Sequence, residues 1–416
     1  MEYQGSYTET DNPYMDFLKN IKKLLKPNGK LLIAIENQYG LKYWCGAKED
    51  HTGVPFEGIN QYKISSKKVR TFSRNGLEEL IKKSGFKHTY FYYPMPDYKL
   101  PTVIYSQNYL PQNENMQNMQ CYYAPDGNTV IAQEREIYRD IIENSVFEFF
   151  ANSFLVECAE EENVGQIIFA SMKNERLPEY RIGTRFTKSK KVEKFPLDKE
   201  KGEKHIYQAV EYEHELQGRK LNIWESKIID GKMVSEYSED QLWEHCFLEA
   251  ARNLDVEQVY EILDKLYEEI LSSSEEASWE SNILYEFNRT LEPNKEKYGP
   301  ILKNGYLDMI LQNAFFVDGK IYWFDQEWKL ENVPAKYMLY RTLKEFYLSY
   351  PDVERNVSLQ SIVEHYSLLE AWDDFVKLEN LFVQTVIDCK HMGERNGFRG
   401  KGLKECVINI SKILNV

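Results

Sequence analysis

The stretch Tyr306–Trp328 reads Y-L-D-M-I-L-Q-N-A-F-F-V-D-G-K-I-Y-W-F-D-Q-E-W. Asp318-Gly319 lies in it between two apolar runs, and this pair predicts a two-residue β-hairpin, because a type I′ turn needs positive φ at both central positions. Counting outward from the turn places Val317 opposite Lys320. The stretch therefore predicts two short antiparallel strands joined by a tight turn.

Three polar side chains flank this predicted hairpin. Asn313 falls opposite Phe324, and Asp325 follows one step later, so the hairpin brings an amide oxygen and a carboxylate together. Asp308 lies five residues before Asn313, in the loop that leads into the first strand. The pattern provides one acid that can act as a base, together with an Asn/Asp pair of hard oxygen ligands suited to Mg²⁺.

This part of the chain resembles the catalytic loop and metal-binding Asp of protein-kinase-like phosphotransferases, because it has the order Asp-x4-Asn, hairpin, Asp. It also resembles their aminoglycoside-phosphotransferase-like branch, which has a run like W-F-D-x-E. The resemblance implies that Asp308 orients or deprotonates an acceptor hydroxyl, while Asn313 and Asp325 hold Mg²⁺ against the phosphates of ATP. Two positions before the catalytic Asp, the family usually has His, and this chain has Tyr306. A surface hairpin whose acids only make turns remains the alternative.

The same family carries a phosphate-binding Lys on a strand before a helix. Val192-Glu193-Lys194 matches that strand, and the helix expected to begin near Asp198 offers Glu203 and Glu211 as ion-pair partners for Lys194. The resemblance thus implies nucleotide-binding roles for Lys194 and Glu203. The alternative is a solvated helix face, since the segment is rich in Lys and Glu.

A further pair of strands is expected at Ser153–Cys158 and Gln166–Met172, which alternate like a hairpin. In a kinase-like fold their connection would cover the ATP phosphates. Here the connection contains Glu160-Glu161-Glu162, which would repel a triphosphate, and it lacks a glycine-rich phosphate cradle. ATP would then be held mainly from the other lobe, or only weakly.

The first hundred residues predict an incomplete α/β sheet in the order α-β-α-β-β. Asn12-Pro13 begins a helix, and Ser73 caps a second one. The continuous apolar run Leu31–Ile35 predicts a parallel strand buried on both faces. Two more strands are expected near His88–Tyr93 and Thr102–Ser106.

This part of the chain carries a second resemblance. Leu24–Asn37 resembles the late helix and fifth strand of a class I S-adenosylmethionine-dependent methyltransferase. Gly40–Trp44, Glu49–Gly53 and Phe91–Pro101 resemble such modules from surface-polysaccharide biosynthesis, in which a kinase-like domain often follows on the same chain. In a complete protein of this type, Asp50 and His51 would face a sugar-like acceptor. An ordered loop fixed by local hydrogen bonds is the alternative.

The cofactor-binding half of that methyltransferase fold is expected to be missing. It would need a glycine-rich turn after the first strand and an acidic residue ending the second, yet Met1-Glu2-Tyr3 already resembles the end of the fourth strand. S-adenosylmethionine is therefore expected to bind only a complete parent protein. The strand Leu31–Ile35 is expected to lose the neighbour that would cover its edge.

Composition suggests where the two parts meet. Gln107–Gln120 contains eight Gln or Asn residues and predicts a linker. The predicted organisation is an α/β remnant of a Rossmann-like methyltransferase sheet over residues 1–106, a Gln/Asn-rich linker over 107–128 and an α+β kinase-like two-lobed domain over 129–416. The small lobe would cover about 129–217 and the helical lobe about 218–416.

Charge and cysteine usage limit the partners. A net charge of −14 argues against nucleic acid as a partner. The six cysteines are scattered without a C-x-x-C pair, which favours reduced thiols in a cytoplasmic protein. No apolar run approaches the length of a transmembrane segment.

Together these features predict a methyltransferase-family chain with a kinase-like domain that acts in cell-surface polysaccharide biosynthesis. The expected reaction is Mg-ATP-dependent phosphoryl transfer to a sugar-like hydroxyl. Two alternatives remain: a non-catalytic kinase-like scaffold that recruits other glycan-assembly enzymes, and an inactive fragment of a methyltransferase.

Overall fold

The computed structural model describes residues 1–7, 10–64, 68–112, 121 and 129–388. Its described residues divide into two compact units. Unit 1 contains Met1–Glu175 and Gly183–Ser189, and unit 2 contains Arg176–Ile182 and Lys190–Asp388. Helices and antiparallel strands alternate in both units, so the fold class is mixed α/β.

Helices and strands are interleaved along unit 1. Its helices are α1 (Gln4–Tyr7), α2 (Pro13–Leu24), α3 (Leu41–Trp44), α4 (Arg74–Lys83), α5 (Glu134–Glu143) and α6 (Phe147–Phe150). Its strands are β1 (Leu31–Glu36), β2 (His88–Met95), β3 (Val103–Ser106), β4 (Ser153–Ala159), β5 (Ile167–Met172) and β6 (Ile182–Thr187). Pro13 begins α2 as predicted, but Asn12 makes no side-chain capping hydrogen bond. The predicted cap at Ser73 is confirmed, since its hydroxyl accepts from Gly76 N at 3.1 Å.

The strands of unit 1 follow one another in the order β1-β4-β2-β3-β5-β6, with antiparallel neighbours. The prediction of a parallel strand at Leu31–Ile35 is wrong, because β1 pairs antiparallel with β4. The prediction of burial on both faces is wrong too. Ile33 and Ile35 are buried, whereas Leu32 is 60% exposed, as expected for an edge strand with one face on the core.

Strand β4 extends the N-terminal unit beyond the boundary that the sequence predicts. Val156 lies opposite Ile33 of β1 on one side and opposite Phe91 of β2 on the other. Phe154, Val156 and Cys158 also belong to the apolar core of unit 1. Unit 1 therefore runs on to Glu175, well past the expected boundary at 107–128. Residues 113–120 and 122–128 of that expected linker lie outside the described residues.

The hairpin expected from Ser153–Cys158 and Gln166–Met172 does not form. Strand β4 pairs with β1 and β2, while β5 pairs with β3 and β6. The alternation of apolar and polar residues correctly indicates two strands, but it does not determine which strands they pair with. The choice follows from which apolar face each strand buries.

Unit 2 combines antiparallel strands with a helical part. Its strands are β7 (Lys191–Pro196), β8 (Ser226–Ile229), β9 (Lys232–Glu236), β10 (Ile301–Tyr306), β11 (Ala314–Val317), β12 (Lys320–Trp323) and β13 (Lys329–Pro334). Its helices are α7 (Lys199–Gly218), α8 (Trp243–Arg252), α9 (Val256–Ser272), α10 (Lys295–Tyr298), α11 (Ala335–Ser349), α12 (Leu359–His365) and α13 (Trp372–Val386). Three of its strands are neighbours in the order β7-β9-β8, and two further pairs are β10·β13 and β11·β12.

A large apolar core surrounds β10 and the β11–β12 hairpin. It draws on α8, α9, α11, α12 and α13, and it includes Leu307, Met309, Leu311 and Trp323. The segment 239–271 forms two helices, because the chain breaks at Leu254 (φ 60°) and Asp255 caps α9 by accepting from Gln258 N at 3.1 Å. The core therefore holds the residues around Asp308 from several sides.

No helix in the described ranges is both long enough and apolar enough to cross a bilayer.

Candidate functional site

The predicted hairpin in unit 2 is confirmed, with its register. Val317 pairs with Lys320, and Asp318 and Gly319 have φ of 49° and 75°, which fits a type I′ turn. One step beyond the paired residues, Phe324 N donates to Asn313 O at 3.0 Å. The hairpin thus fixes where the chain enters at Asn313 and leaves toward Asp325.

Asp308 connects the segments on either side of this hairpin. Its Oδ2 accepts from the backbone N of Glu327 at 2.8 Å and of Trp328 at 3.2 Å. Its carbonyl oxygen accepts from Asn313 Nδ2 at 3.1 Å and from Gln326 Nε2 at 3.0 Å. The loop before the hairpin and the segment after it are therefore held as one assembly, with the Asp308 carboxylate at its centre.

Lys194 of β7 reaches this assembly. Its Nζ forms ion pairs with Asp325 Oδ1 and, at 2.8 Å, with Glu327 Oε1. Asp325 has φ of 59°, and a non-glycine residue in this region is a sign of backbone strain that clusters at functional sites. The structure therefore brings together Lys194, Asp325 and, through the Asp308 hydrogen bonds, Asn313.

Glu327 is a buried anion paired with Lys194 and Arg176, and His205 lies close to it. Besides Lys194, Arg176 Nη1 lies 2.6 Å from Glu327 Oε2, and His205 Nε2 lies 3.8 Å from it. Burial alone would raise the pKa of Glu327, but the charges of Arg176 and Lys194 hold it well below its usual range. Burial and then the neighbouring Glu327 carboxylate raise the pKa of Asp308 to about 6. Two nearby carboxyls thus have pKa values pushed apart, which is a pattern of acid–base sites.

Glu203 and Glu211 are exposed on α7. The ion-pair partners that the structure gives Lys194 are Asp325 and Glu327 instead. The buried acid of α7 is Glu213, which accepts from Ser226 N and Oγ at 3.2 Å. Burial raises the pKa of Glu213 to about 7, and the charge of Lys194 opposes that rise.

Tyr306, at the position where His was expected, links the catalytic-loop candidate to α7. Its hydroxyl donates to Glu215 Oε2 at 2.6 Å, and Lys329 pairs with the same carboxylate at 2.7 Å. On the other side, Arg341 Nε donates to Leu307 O at 3.2 Å and pairs with buried Glu379 at 2.6 Å. The chain immediately before Asp308 is therefore fixed from two directions.

Asn313 and Asp325 carry oxygen atoms of the kind that a magnesium ion prefers. Asn313 uses its Nδ2 for the bond to Asp308, so its Oδ1 is the atom that can act as a ligand. Asp325 supplies a carboxylate, and hard oxygen donors of this kind suit Mg²⁺ when phosphate oxygens complete the shell. Within the described residues no group of three His, Cys, Asp or Glu side chains is placed to hold a metal, so a bound nucleotide would have to supply the remaining ligands.

Asp50 and His51 lie in unit 1, in a second cluster of charged groups. Asp50 Oδ2 pairs with Lys42 at 3.2 Å and with Lys99 at 3.1 Å. His51 Nε2 lies 3.3 Å from Glu36 Oε2, and its Nδ1 lies 2.7 Å from the Tyr3 hydroxyl. Both residues therefore belong to a network that extends well beyond the loop Glu49–Gly53.

Replacing Glu36 with Gln should lower the pKa of His51. Burial lowers this pKa, but the hydrogen bond and charge of Glu36 more than reverse that effect, so it lies above its ordinary value. Stability that comes from protonated His51 is present below the unfolded pKa of about 6.5 and is lost as the pH rises through the higher folded value.

NMR titration of the histidine ring signals would measure this shift, with His88 as the reference histidine of unit 1. An unchanged His51 titration in Glu36→Gln would contradict the ion pair.

Three residues at the unit 2 site carry no role in the sequence-based prediction. Glu327 could have been identified from the sequence, because it is the last acid of the quoted W-F-D-x-E run. Arg176 and His205 have no motif spacing that would identify them, since each meets Glu327 only through the tertiary fold.

A comparison with protein-family models finds no match for this chain, and a comparison with curated proteins finds none with significant sequence similarity.

Proposed function

We propose that unit 2 is a phosphotransferase that moves the terminal phosphoryl group of ATP to a hydroxyl. The observation that carries this proposal is the assembly of Lys194, Asp325 and Asp308 around the β11–β12 hairpin. Phosphoryl transfer requires a cation at the phosphates, oxygen ligands for a metal and an acid beside the attacking hydroxyl. These groups are present on separate elements of one unit and are connected by hydrogen bonds.

Each residue has a role that its surroundings support. Lys194 would exchange its carboxylate partners for phosphate oxygens when nucleotide binds. Asn313 and Asp325 would hold Mg²⁺, which when bound supplies positive charge against the phosphates. Asp308 would accept the proton of the attacking hydroxyl, and its pKa of about 6 suits a general base near neutral pH.

The acceptor in this proposal is a sugar-like hydroxyl in cell-surface glycan assembly. That assignment rests on the resemblance of the N-terminal segments to polysaccharide-associated methyltransferases. In the proposal, unit 1 is related to such methyltransferases through these sequence segments, while its described strands pair antiparallel. Strands β7–β9 with α7 would form the small kinase-like lobe, and the segments from α8 onward the helical lobe.

A non-catalytic scaffold is the second candidate. One observation favours it. Strands β4 and β5, which were expected to cover the phosphates, do not pair with each other but with other strands of unit 1. A nucleotide in the described part of unit 2 would then lack a glycine-rich cover. Such a domain could retain the Asp308 assembly as a structural support only.

Melting curves with Mg-ATP would distinguish these candidates. Ligand at about 100 times its dissociation constant stabilises a binding-competent protein by roughly 2.7 kcal/mol, so a competent site should give a clear and saturable rise in Tm. Asp325→Asn should abolish the rise, because it removes the charged metal ligand.

Asp318→Asn is the matched control. It removes a carboxylate from the turn of the same hairpin, and Asn tolerates the positive φ found there, so the rise in Tm should persist. No rise in the wild-type protein with Mg-ATP or Mg-GTP would favour the scaffold.

A further inference from the structure

A buried arginine contacts the loop that carries Asp308. Arg341 of α11 is 7% exposed, and its guanidinium makes contacts in two directions. Nη1 pairs with Glu379 of α13 at 2.6 Å, and Nε donates to the main-chain carbonyl oxygen of Leu307 at 3.2 Å. The same side chain therefore joins a buried carboxylate to the residue that directly precedes Asp308.

Glu379 is held by one face of α11. Tyr337, Arg341 and Lys344 lie at positions i, i+4 and i+7 of this helix, so their side chains project from the same face. The Tyr337 hydroxyl donates to Glu379 Oε2 at 2.7 Å, and Lys344 Nζ lies 3.2 Å from Oε1. Glu379 is buried and has these three partners on α11, so it gives Arg341 a counter-charge in a fixed place.

Stability alone is a weak reason for this arrangement. Taking an ion pair such as Arg341–Glu379 out of water costs desolvation energy that the attraction between the charges often only balances. Leu307 is fully buried, so its carbonyl oxygen needs a partner within the protein. Nε and Nη1 belong to one rigid planar group, and Leu307 O is therefore held at a defined position relative to Glu379.

The position of the Leu307 carbonyl determines how the chain enters Asp308. The peptide bond between the two residues is planar, so fixing Leu307 O also fixes the N and Cα atoms of Asp308. The next peptide group is held as well, since Asp308 O accepts from Asn313 Nδ2 and Gln326 Nε2. Arg341 thus holds the first of the two peptide groups on which the direction of the Asp308 side chain depends.

The Asp308 side chain itself is held through one of its two carboxylate oxygens. Oδ2 accepts from the backbone N of Glu327 at 2.8 Å and of Trp328 at 3.2 Å. Oδ1 has no hydrogen-bond partner among the residues that the structure describes, and Asp308 is only partly buried. Oδ1 is therefore the atom that an acceptor hydroxyl can approach.

We propose that Arg341 is a positioning residue for the phosphoryl transfer, and that it directs Asp308 Oδ1 toward the attacking hydroxyl by holding the Leu307 carbonyl. This inference rests on the proposed function of unit 2. Glu379 contributes by fixing Arg341. A displacement of about 1 Å at the reacting atoms can lower a rate about 10²-fold, so loss of this contact should lower turnover without changing nucleotide binding.

Arg341→Lys tests the proposal without removing the buried charge. Lysine keeps a positive charge for Glu379, but a single ammonium group cannot reproduce both contacts of the planar guanidinium. The protein should therefore fold, as its melting curve would verify, while the contact with Leu307 weakens. With Mg-ATP as the donor and glycerol as the acceptor, kcat for ADP formation should fall roughly 10–100-fold. KM for Mg-ATP should stay unchanged, because the residues proposed to bind Mg-ATP are untouched.

Lys344→Met is the matched control. It removes a cation from the same carboxylate and the same helix, and the ion-pair partners of Lys344 among the described residues are Glu345 and Glu379. Because the Arg341 contact with Leu307 remains, kcat should keep its wild-type value. A wild-type kcat in Arg341→Lys, a rise in KM in place of a fall in kcat, or an equal loss in Lys344→Met would overturn the proposal.

Amide hydrogen exchange separates this inference from the proposed function. The backbone amides of Glu327 and Trp328 donate to Asp308 Oδ2. Both should exchange roughly tenfold faster in Arg341→Lys, the effect of weakening one hydrogen bond. The amide of Phe316, a backbone donor elsewhere in the hairpin, should exchange at the wild-type rate. Absence of ADP formation in the wild type would refute the phosphotransferase, whereas unchanged exchange at the first two amides would refute the role of Arg341.

Discussion

Asp308→Asn should abolish phosphoryl transfer while making the protein more stable at neutral pH. Transfer should fall roughly 10²–10⁴-fold, the range for losing a general base. Binding of Mg-ATP should persist, because Asn313 and Asp325 are unchanged. The amide oxygen of Asn can still accept from the backbone N of Glu327, which the native carboxylate does at 2.8 Å.

The stability gain follows from the raised pKa of Asp308. Its folded value of about 6 exceeds the unfolded value of about 3.9, so the folded protein holds this proton more tightly. Stability from Asp308 is therefore greatest below pH 4 and decreases as the pH rises toward about 6. Asn removes the ionised carboxylate beside Glu327, so its advantage should be largest above pH 6 and vanish near pH 4.

Urea unfolding at pH 7 and at pH 4 measures this difference directly. Asp318→Asn is the control, since Asp318 is exposed in the hairpin turn and should show no pH-dependent gain. A variant that is less stable than wild type at pH 7 would show that the Asp308 carboxylate holds the loop together rather than straining it. Undiminished transfer would remove Asp308 from its proposed role.

The hairpin could be predicted from sequence because its determinants are local. Asp318-Gly319 sets the turn type, and the turn then fixes the register out to Asn313. The approach of Lys194 to Asp325 depends on tertiary structure, and only the resemblance to a known family suggested it. Lys194 pairs with Glu327 and not with Glu203 because of which face of α7 is buried. The sequence of α7 is so rich in Lys and Glu that its buried face cannot be identified from it.

The extent of unit 1 could not be predicted for a different reason. Strand β4 joins β1 and β2 across a long stretch of chain, and the polar composition of Gln107–Gln120 suggested a boundary before it. The composition of a segment indicates whether it is exposed to water, but it does not indicate which strands distant in sequence pair with each other. The apolar residues Phe154 and Val156 join a sheet in which β1, β2 and β3 were expected from sequence, although the direction expected for β1 was wrong.

Glu327→Gln should be among the most destabilising single substitutions in unit 2. The carboxylate lies within 2.6 Å of Arg176 and 2.8 Å of Lys194, and all three side chains are largely buried. Removing one partner of a buried pair leaves the opposite charge uncompensated, at a cost of about 3–5 kcal/mol. Asp325 continues to pair with Lys194, so the lower end of that range applies.

The pH dependence distinguishes this charge effect from a packing defect. The folded pKa of Glu327 is depressed well below its usual range, so its stabilising contribution is present above the unfolded value of about 4.3 and is lost as the pH falls below it. Wild type should therefore lose stability on acidification more steeply than Glu327→Gln, and the two unfolding free energies should converge at low pH. Glu331→Gln, at an exposed site on β13, should stay within about 0.5 kcal/mol of wild type. A Glu327→Gln protein as stable as wild type at pH 7 would mean that Lys194 and Arg176 do not depend on this carboxylate, and the ion pairs of Glu327 would no longer support the proposed site.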